Sequence, residues 1–400
     1  MKYSRVLEGT FIRRENRFIA QVEVEGEAQR VFVPNTGRCR ELFLPGRRVF
    51  LSKKDPESQR KTDYTLIHVD KDGLLVNIDA QAPNKLVGEV LEADVELEGF
   101  GRVRKVRPEV TVGKSRLDFA IEGEGGQGYL EVKGVTLEED GLAAFPDAPT
   151  SRGARHLREL TALAREGTYA GVVFVLQMEG MRLFMPNEAM DPDFAQALRE
   201  ASRAGVHIFA WGVNFQGAHP KISYTVPHLL HGLSLERGRE EDLPAIHKIL
   251  QEGAEALMAD GVDQWQRTAP GVRQIQLDLE RQEQYVLRYQ GEIVATGVLQ
   301  QREEETYRDR RGKFRLPAPY TTIHRFAVAE KYKGQGFGRE FLTLLIVESA
   351  RLNFPSVRID THEHNEKMQR VIASCGFEAA GVIAVSDGDR LVFERSSSWK

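Results

Sequence analysis

Cysteine is scarce in this 400-residue chain, which has only Cys39 and Cys375, far apart in sequence. Two distant thiols exclude a disulfide framework and suit a reducing compartment. No apolar run approaches the roughly 20 residues that a membrane-spanning helix requires. The longest, Ala170 to Leu176, is the size of one strand. Met1-Lys-Tyr-Ser-Arg leads into no signal-like apolar segment, so the expectation is a cytoplasmic protein with no membrane partner. Neither sign of charge dominates: 55 Lys and Arg against 59 Asp and Glu leave a formal net charge of -4. That balance excludes a protein that coats nucleic acid through bulk charge, while leaving room for a local basic patch.

The length calls for two or three domains, and a composition of 41% hydrophobic and 28% charged residues is that of a globular chain. The stretch Ser115 to Lys133 is the first with chemistry in it. Its flanks, Ser115-Arg-Leu-Asp-Phe-Ala-Ile-Glu122 and Tyr129-Leu-Glu-Val-Lys133, alternate apolar and polar residues across a Gly-rich break, the pattern of two half-buried strands joined by a turn. Glu131 and Lys133 project from one face of their strand, and a suitable register sets Asp118 beside them. Two carboxylates with an ammonium can hold a hard divalent cation through oxygens while the Lys stabilises a phosphate or activates a water. A Glu-x-Lys on a strand also reads as a solvated charged face.

The residues that follow, Gly134-Val-Thr-Leu and Ala144-Phe-Pro-Asp-Ala-Pro-Thr-Ser-Arg-Gly-Ala-Arg-His-Leu-Arg-Glu-Leu160, resemble the sugar fermentation stimulation protein A (SfsA) family. The resemblance implies a PD-(D/E)XK nuclease-type core, with Asp118, Glu131 and Lys133 as catalytic residues and Mg2+ or Mn2+ on Asp118 and Glu131. Glu89, on the first helix of such a core, is a further candidate ligand. Val33-Pro-Asn-Thr-Gly-Arg-Cys-Arg-Glu-Leu42 looks like a segment of the same family, which implies an OB-fold ahead of the nuclease core. Short strand-like runs from Val6 to Ile78 with almost no helical pattern agree with a small barrel. Residues 1 to 50 hold ten Lys and Arg against six Asp and Glu, so a surface for DNA or RNA is expected near the start. Arg38, Arg40, Arg47 and Arg48 suit phosphate contacts or a solvated face. The stacking platform is thin, with Phe11, Phe18, Phe32 and Tyr64 as its candidates. A helix from Pro83 to about Ala93 and one from Ser151 to Glu166 flank the strands, giving the order α-β-β-β-α-β. Arg152 and Arg155 lie in the first turns of the second helix, where a phosphate is a fitting partner. His156 beside them can cap or pack.

Gly217 to Gly232 reads as a linker, although Lys221 to Val226 can finish the preceding sheet. Beyond Leu233, helical periodicity from Glu241 to Ala259 and strands at Gln284 to Arg288, Glu292 to Gln300 and Thr321 to Val328 lead to Ala329-Glu-Lys-Tyr-Lys-Gly-Gln-Gly-Phe-Gly-Arg-Glu-Phe-Leu342 and a helix from Arg339 to Leu352. Such a Gly-rich turn lets backbone amides approach a pyrophosphate, or simply makes a tight connection. With Asp360-Thr-His362, Asn365 to Gln369 and Gly376-Phe377, it resembles the GNAT acetyltransferases. The resemblance implies acetyl-CoA bound by Val328, Lys333, Gly334, Gln335, Gly336, Phe337, Gly338 and Asn365, and an unidentified amine as acceptor. Ile372 stands where many GNAT enzymes carry a tyrosine that protonates the leaving thiolate. His324 and Glu363 are candidate bases. The whole reads as a multidomain chain: an OB-like β barrel over residues 1-82, a PD-(D/E)XK nuclease-like α/β domain over 83-228 and a GNAT α/β domain over 229-400.

Overall fold

The computed structural model describes all residues except 36, 38, 55–60, 114, 267–269, 309–310, 386–387 and 398–400, and only the backbone of residue 115. The chain divides into two compact units, the first spanning Met1–Gly232 and the second beginning at Leu233.

In the first unit, strands Glu27–Phe32, Ile19–Val24, Val6–Asn16, Arg48–Lys53 and Tyr64–Lys71 pair in that spatial order. A parallel contact between Phe32 and Thr65 closes them into a barrel, and Leu74–Asn77 extends the last strand as a hairpin. Alternation decides which face is inside: Ala20, Val22 and Val24 are buried while Ile19, Gln21 and Glu23 between them are less so. Helix Ala82–Glu92 follows, started by a proline in its first turn, where the missing N–H costs nothing.

A seven-stranded sheet then forms in the order His219–Thr225, His207–Gln216, Tyr169–Leu176, Gly126–Val135, Ser115–Gly123, Gly101–Val112, Glu96–Leu97. Tyr169–Leu176 lies parallel to both of its neighbours and is buried on both faces, which is why it reads as an unbroken apolar run. Helix Ser151–Arg165 packs Leu157 and Leu160 onto one face of the sheet, in a core continuous with that of the barrel. Helix Ala82–Glu92 covers the opposite face through Leu86, Val87 and Leu91. The barrel and the sheet therefore share one core, which accounts for their forming a single unit.

The structure departs from the sequence expectation where a small sheet of Leu137–Glu139, Leu142–Phe145 and Leu183–Pro186 interrupts the expected α-β-β-β-α-β order. Of the two readings of the segment after Gly217, the structure has the one in which it finishes the preceding sheet, through strand His219–Thr225. Of the stacking candidates, Phe11 is buried in the barrel core and Phe18 is exposed.

The second unit is an eight-stranded sheet in the order Leu233–Arg237, Gln284–Tyr289, Glu292–Gln300, Tyr320–Val328, Ser356–His362, Gly388–Ser396, Glu378–Val385, Arg311–Gly312. Among the described residues only Tyr320–Val328 and Ser356–His362 run parallel within it. Helix Leu243–Ala259 buries Ile246, Ile249 and Leu250 against Trp265 and Val286, joined by Ile275 and Leu279 from helix Val272–Glu280, which periodicity did not predict. Helix Phe337–Arg351 begins two residues ahead of its expected start because Gly336, at φ +96°, turns the chain directly into it. Among the described residues no helix is long and apolar enough to cross a membrane.

Candidate functional site

The first candidate site is made by strand register. Ser115–Gly123 and Gly126–Val135 pair antiparallel as far as Leu130 opposite Phe119, so Asp118 and Glu131 come abreast one step beyond the last pair. Asp118 bridges the gap, its Oδ2 accepting the Val132 N–H at 2.7 Å and its Oδ1 accepting the Asn84 amide at 2.7 Å. Glu131 is buried, and its Oε1 accepts from both the Lys133 ammonium and His156 Nδ1. Behind them Gly134 leaves no room for a Cβ against Gln177 and Pro83.

The two carboxylates differ electrostatically. Burial and the Glu131 charge push Asp118 up, against the opposing pull of the Val132 N–H, Asn84 and Lys133. Burial pushes Glu131 up as well, but His156 and Lys133 overcome it and hold the group below the ordinary carboxylate range. His156 Nε2 accepts a long bond of 3.4 Å from Arg152, so the ring proton belongs on Nδ1, facing Glu131. The other oxygen of Glu131, Oε2, is buried and has no hydrogen-bond partner among the described residues. A buried unpaired carboxylate oxygen is costly, and this oxygen is where a divalent cation fits the residues present.

Asp118 lines a cleft of about 930 Å3 with Asn84, Lys85 and Glu89 from the first helix and Phe18, Phe32, Lys53 and Lys54 from the barrel. Glu89 is half exposed, and its carboxylate is bonded to the Met1 ammonium at 2.7 Å. Among the described residues no three His, Cys, Asp or Glu side chains are gathered as a metal cage, so Glu89 does not complete a cluster with Asp118 and Glu131.

The expected nucleic-acid arginines are not in the described walls of this cleft, whose cations are lysines. Arg48 is held by Asp70 at 2.5 Å and Arg47 by Asp72 at 3.1 Å, because the strand starting at Arg48 pairs with Tyr64–Lys71 and brings those acids alongside. Arg40, Arg152 and Arg155 are exposed, and Arg38 lies outside the described residues. Sequence reasoning missed Asn84 and the Glu131–His156 bond. His156 lay in a motif, but its partner did not show there; each contact arises where a helix crosses a strand.

The second candidate site is made by backbone. The parallel ladder between Tyr320–Val328 and Ser356–His362 runs from Tyr320–Ser356 to Ile323–Ile359, and beyond it both strands continue unpaired to each other. The opposite edge of Tyr320–Val328 is bulged, with a register shift between His324 and Ala327 and φ +50° at Arg325. The strands therefore splay, and a cavity of about 570 Å3 lies in the opening. Its walls include Val328, Lys333, Gly334, Gly336, Phe337, Gly338 and Asn365.

Gly334 and Gly336 have φ of +74° and +96°, and a Cβ on either meets nothing within 4 Å, so conformation and open space both favour glycine. Helix Phe337–Arg351 has no side-chain cap, which leaves its first N–H groups for a ligand. Gln335 is not in the cavity wall, and its amide donates to the Lys331 carbonyl at 2.9 Å. Asn365 lines the cavity and caps helix Glu366–Ser374, accepting the Met368 N–H at 3.1 Å. Glu363 is exposed and outside the cavity wall, and Ile372 is fully buried.

Comparison with known proteins matches both architectures. The sequence profile of the sugar fermentation stimulation protein RE domain matches residues 81–219, and that of the SfsA N-terminal OB domain matches 12–78. A sugar fermentation stimulation protein homolog of Clostridium botulinum is 46% identical over 207 residues, 52% of this chain and 89% of the relative. The chain belongs to the SfsA family. A Desulfitobacterium hafniense SfsA homolog is 47% identical over 210 residues, 90% of its length. The structure of Pyrococcus furiosus SfsA in complex with Ca2+ superposes with a TM-score of 0.53 at 34% identity, covering 57% of this chain and 98% of that one. To this SfsA portion the chain adds a GNAT acetyltransferase domain, whose family profile matches residues 245–377.

Proposed function

We propose that the protein is bifunctional: an acetyl-CoA-dependent N-acetyltransferase joined to an SfsA-type nucleic-acid-binding unit that is a metal-dependent nuclease, working in the reducing cytoplasm. The observation that carries the acetyltransferase reading is the wedge between Tyr320–Val328 and Ser356–His362, open toward an uncapped helix N-terminus. The turn from Lys333 to Gly338 receives the pyrophosphate on its amides. The backbone of His324–Val328, unpaired on the side facing Ser356–His362, offers the pantetheine a strand edge. Bound acetyl-CoA supplies an activated acyl group, and the chain's own contribution is to orient it and to exclude water. Calorimetry on the full chain with acetyl-CoA, followed by transfer to a panel of amines, tests the reading; absence of binding overturns it.

The nuclease reading is favoured by the orphaned Oε2 of Glu131 next to Asp118. Bound Mg2+ or Mn2+ supplies a water of lowered pKa. Asp118 and Glu131 hold the ion, with Glu89 as a third acid on the cleft wall. His156 orients Glu131 through Nδ1, and Lys133, beside Glu131, would stabilise the charge on the phosphate. The lysines of the cleft and the arginines Arg38, Arg40, Arg47, Arg48, Arg152 and Arg155 draw in the DNA or RNA backbone. That Pyrococcus furiosus SfsA was obtained with Ca2+ agrees with an oxygen-ligand site. Cleavage of single-stranded, duplex and branched DNA and of RNA with Mn2+ present tests it. An inert protein that still binds nucleic acid is instead a DNA-binding regulator with a silent nuclease fold.

A further inference from the structure

Resting on the acetyl-CoA reading of the cavity, we infer that His324, held by Glu304, carries the proton in both halves of acetyl transfer, taking it from the acceptor amine and returning it to the leaving thiolate.

His324 sits where the ladder of Tyr320–Val328 breaks into its bulge, and among the described residues it is the one imidazole in the wall of the cavity. Its Nε2 lies 3.0 Å from Glu304 Oε2. Glu304 is a fixed acceptor: Oε2 also takes the Gln300 amide at 3.1 Å, and Oε1 takes the Thr306 N–H at 3.2 Å and its hydroxyl at 2.8 Å. An ionised carboxylate can only accept, so the imidazole proton belongs on Nε2 and the lone pair on Nδ1. That leaves Nδ1 as the basic atom of the ring.

The other proton carriers in and beside the cavity wall are committed elsewhere: the Tyr332 hydroxyl donates to Glu292 at 3.0 Å and Lys333 is paired with Glu330. Asp260 is bonded twice to Lys367, at 2.9 and 2.6 Å, and Asp360 takes the Tyr307 hydroxyl at 2.8 Å and Arg390 at 3.3 Å. Arg325, next to His324, is paired with Asp278 at 2.7 Å. The Tyr307 hydroxyl is buried and its ionisation is opposed by burial and by Asp360, which disqualifies it as an acid near neutrality. Ile372 offers no acid.

The step balances with one residue. The amine enters uncharged, its nitrogen bonds to the thioester carbonyl carbon, and its N–H proton moves to Nδ1. The C–S bond breaks with its electron pair on sulfur, and the Nδ1 proton moves to that sulfur. Neutral His324 is restored without any other donor.

The test follows CoA thiol release from acetyl-CoA by the full chain. The nucleophiles are water and then hydroxylamine, which is unprotonated near neutrality and depends little on a base. Wild type is expected to exceed the buffer rate. His324→Ala and His324→Gln are expected to lose about 100-fold or more with water, with acetyl-CoA affinity by calorimetry unchanged. Hydroxylamine should recover the part of that loss that belongs to the base and leave the part that belongs to protonating the thiolate. Glu304→Gln is expected to fall less and to shift the limb of the pH–rate profile to lower pH, because the imidazolium loses its anion. Wild-type release by His324→Ala, or a Glu304→Gln profile unmoved along the pH axis, overturns the inference. Wild type that binds acetyl-CoA but releases no thiol to either nucleophile overturns it alone, whereas wild type that does not bind acetyl-CoA overturns the cofactor reading as well.

Discussion

The two candidate sites solve opposite problems. At Asp118 and Glu131 the functional atoms are side-chain charges, one half-buried and one buried, already satisfied by neighbouring donors except at Glu131 Oε2. At the splayed strands of the second unit the functional atoms are backbone amides, left open by two glycines with positive φ and by a helix without a cap. A charge site is tuned by neighbours that sequence spacing does not reveal, whereas a backbone site is written into the positions where only glycine is comfortable.

The sharpest way to break that contrast is at Gly336. With φ +96° and open space around its missing Cβ, Gly336→Glu strains the turn and sets an anion where the pyrophosphate belongs. Acetyl-CoA affinity should fall by about 100-fold or more, a loss of about 2.7 kcal/mol, and calorimetry reads it directly. Unchanged affinity discards the backbone site.

At the charge site, Asp118→Asn keeps the bond to Val132 and removes a formal charge. Metal affinity and cleavage should fall together by about 10- to 100-fold or more while folding and nucleic-acid binding persist. Lys133→Ala leaves Glu131 Oε1 to His156 alone without removing a ligand, so metal binding is retained and cleavage is lost. Cleavage by Asp118→Asn at the wild-type rate would place the chemistry elsewhere.

A smaller effect separates the cleft from the arginine surface. Joint charge reversal of Arg38, Arg40, Arg47 and Arg48 should lower the log-log salt slope of binding by roughly 0.7 to 0.9 for each phosphate that these side chains no longer neutralise. Because Arg47 and Arg48 already face Asp72 and Asp70, we expect a smaller change than from reversing Lys53 and Lys85 in the cleft wall. Titrations at several salt concentrations measure both.

How much was legible follows the same division. The Gly-rich turn and the strand that feeds it were readable, because positive φ and a pattern switching from strand to helix leave marks in the chain. The pairing of the two strands was readable too, since alternation across a Gly-rich break marks a hairpin, whereas the register that sets Asp118 abreast of Glu131 was a condition the sequence left open. The three-stranded sheet at Leu137–Glu139, Leu142–Phe145 and Leu183–Pro186 was not, its strands being three or four residues long, too short for a period to show. Nor could spacing show that His156 turns to Glu131, or that Arg48 finds Asp70 across a ladder. Such partners exist only once strands and helices have been brought together.

The smallest predicted effect is a pH dependence of stability that belongs to the second unit. Burial raises the Glu304 carboxyl, but His324 and Thr306 outweigh it and bring the group from 4.5 down to about 2. A depressed carboxylate contributes stability that is fully present above its unfolded value and is lost as pH falls through the folded value. Wild type should therefore lose stability through Glu304 between 4.5 and about 2. Glu304→Gln removes that contribution. Its unfolding midpoint should lie below that of wild type near neutrality, and the gap should shrink as the pH is lowered through the window. A gap that widens toward acid would mean that Glu304 is protonated in the folded state, and the tautomer assigned to His324 would then have no fixed acceptor behind it.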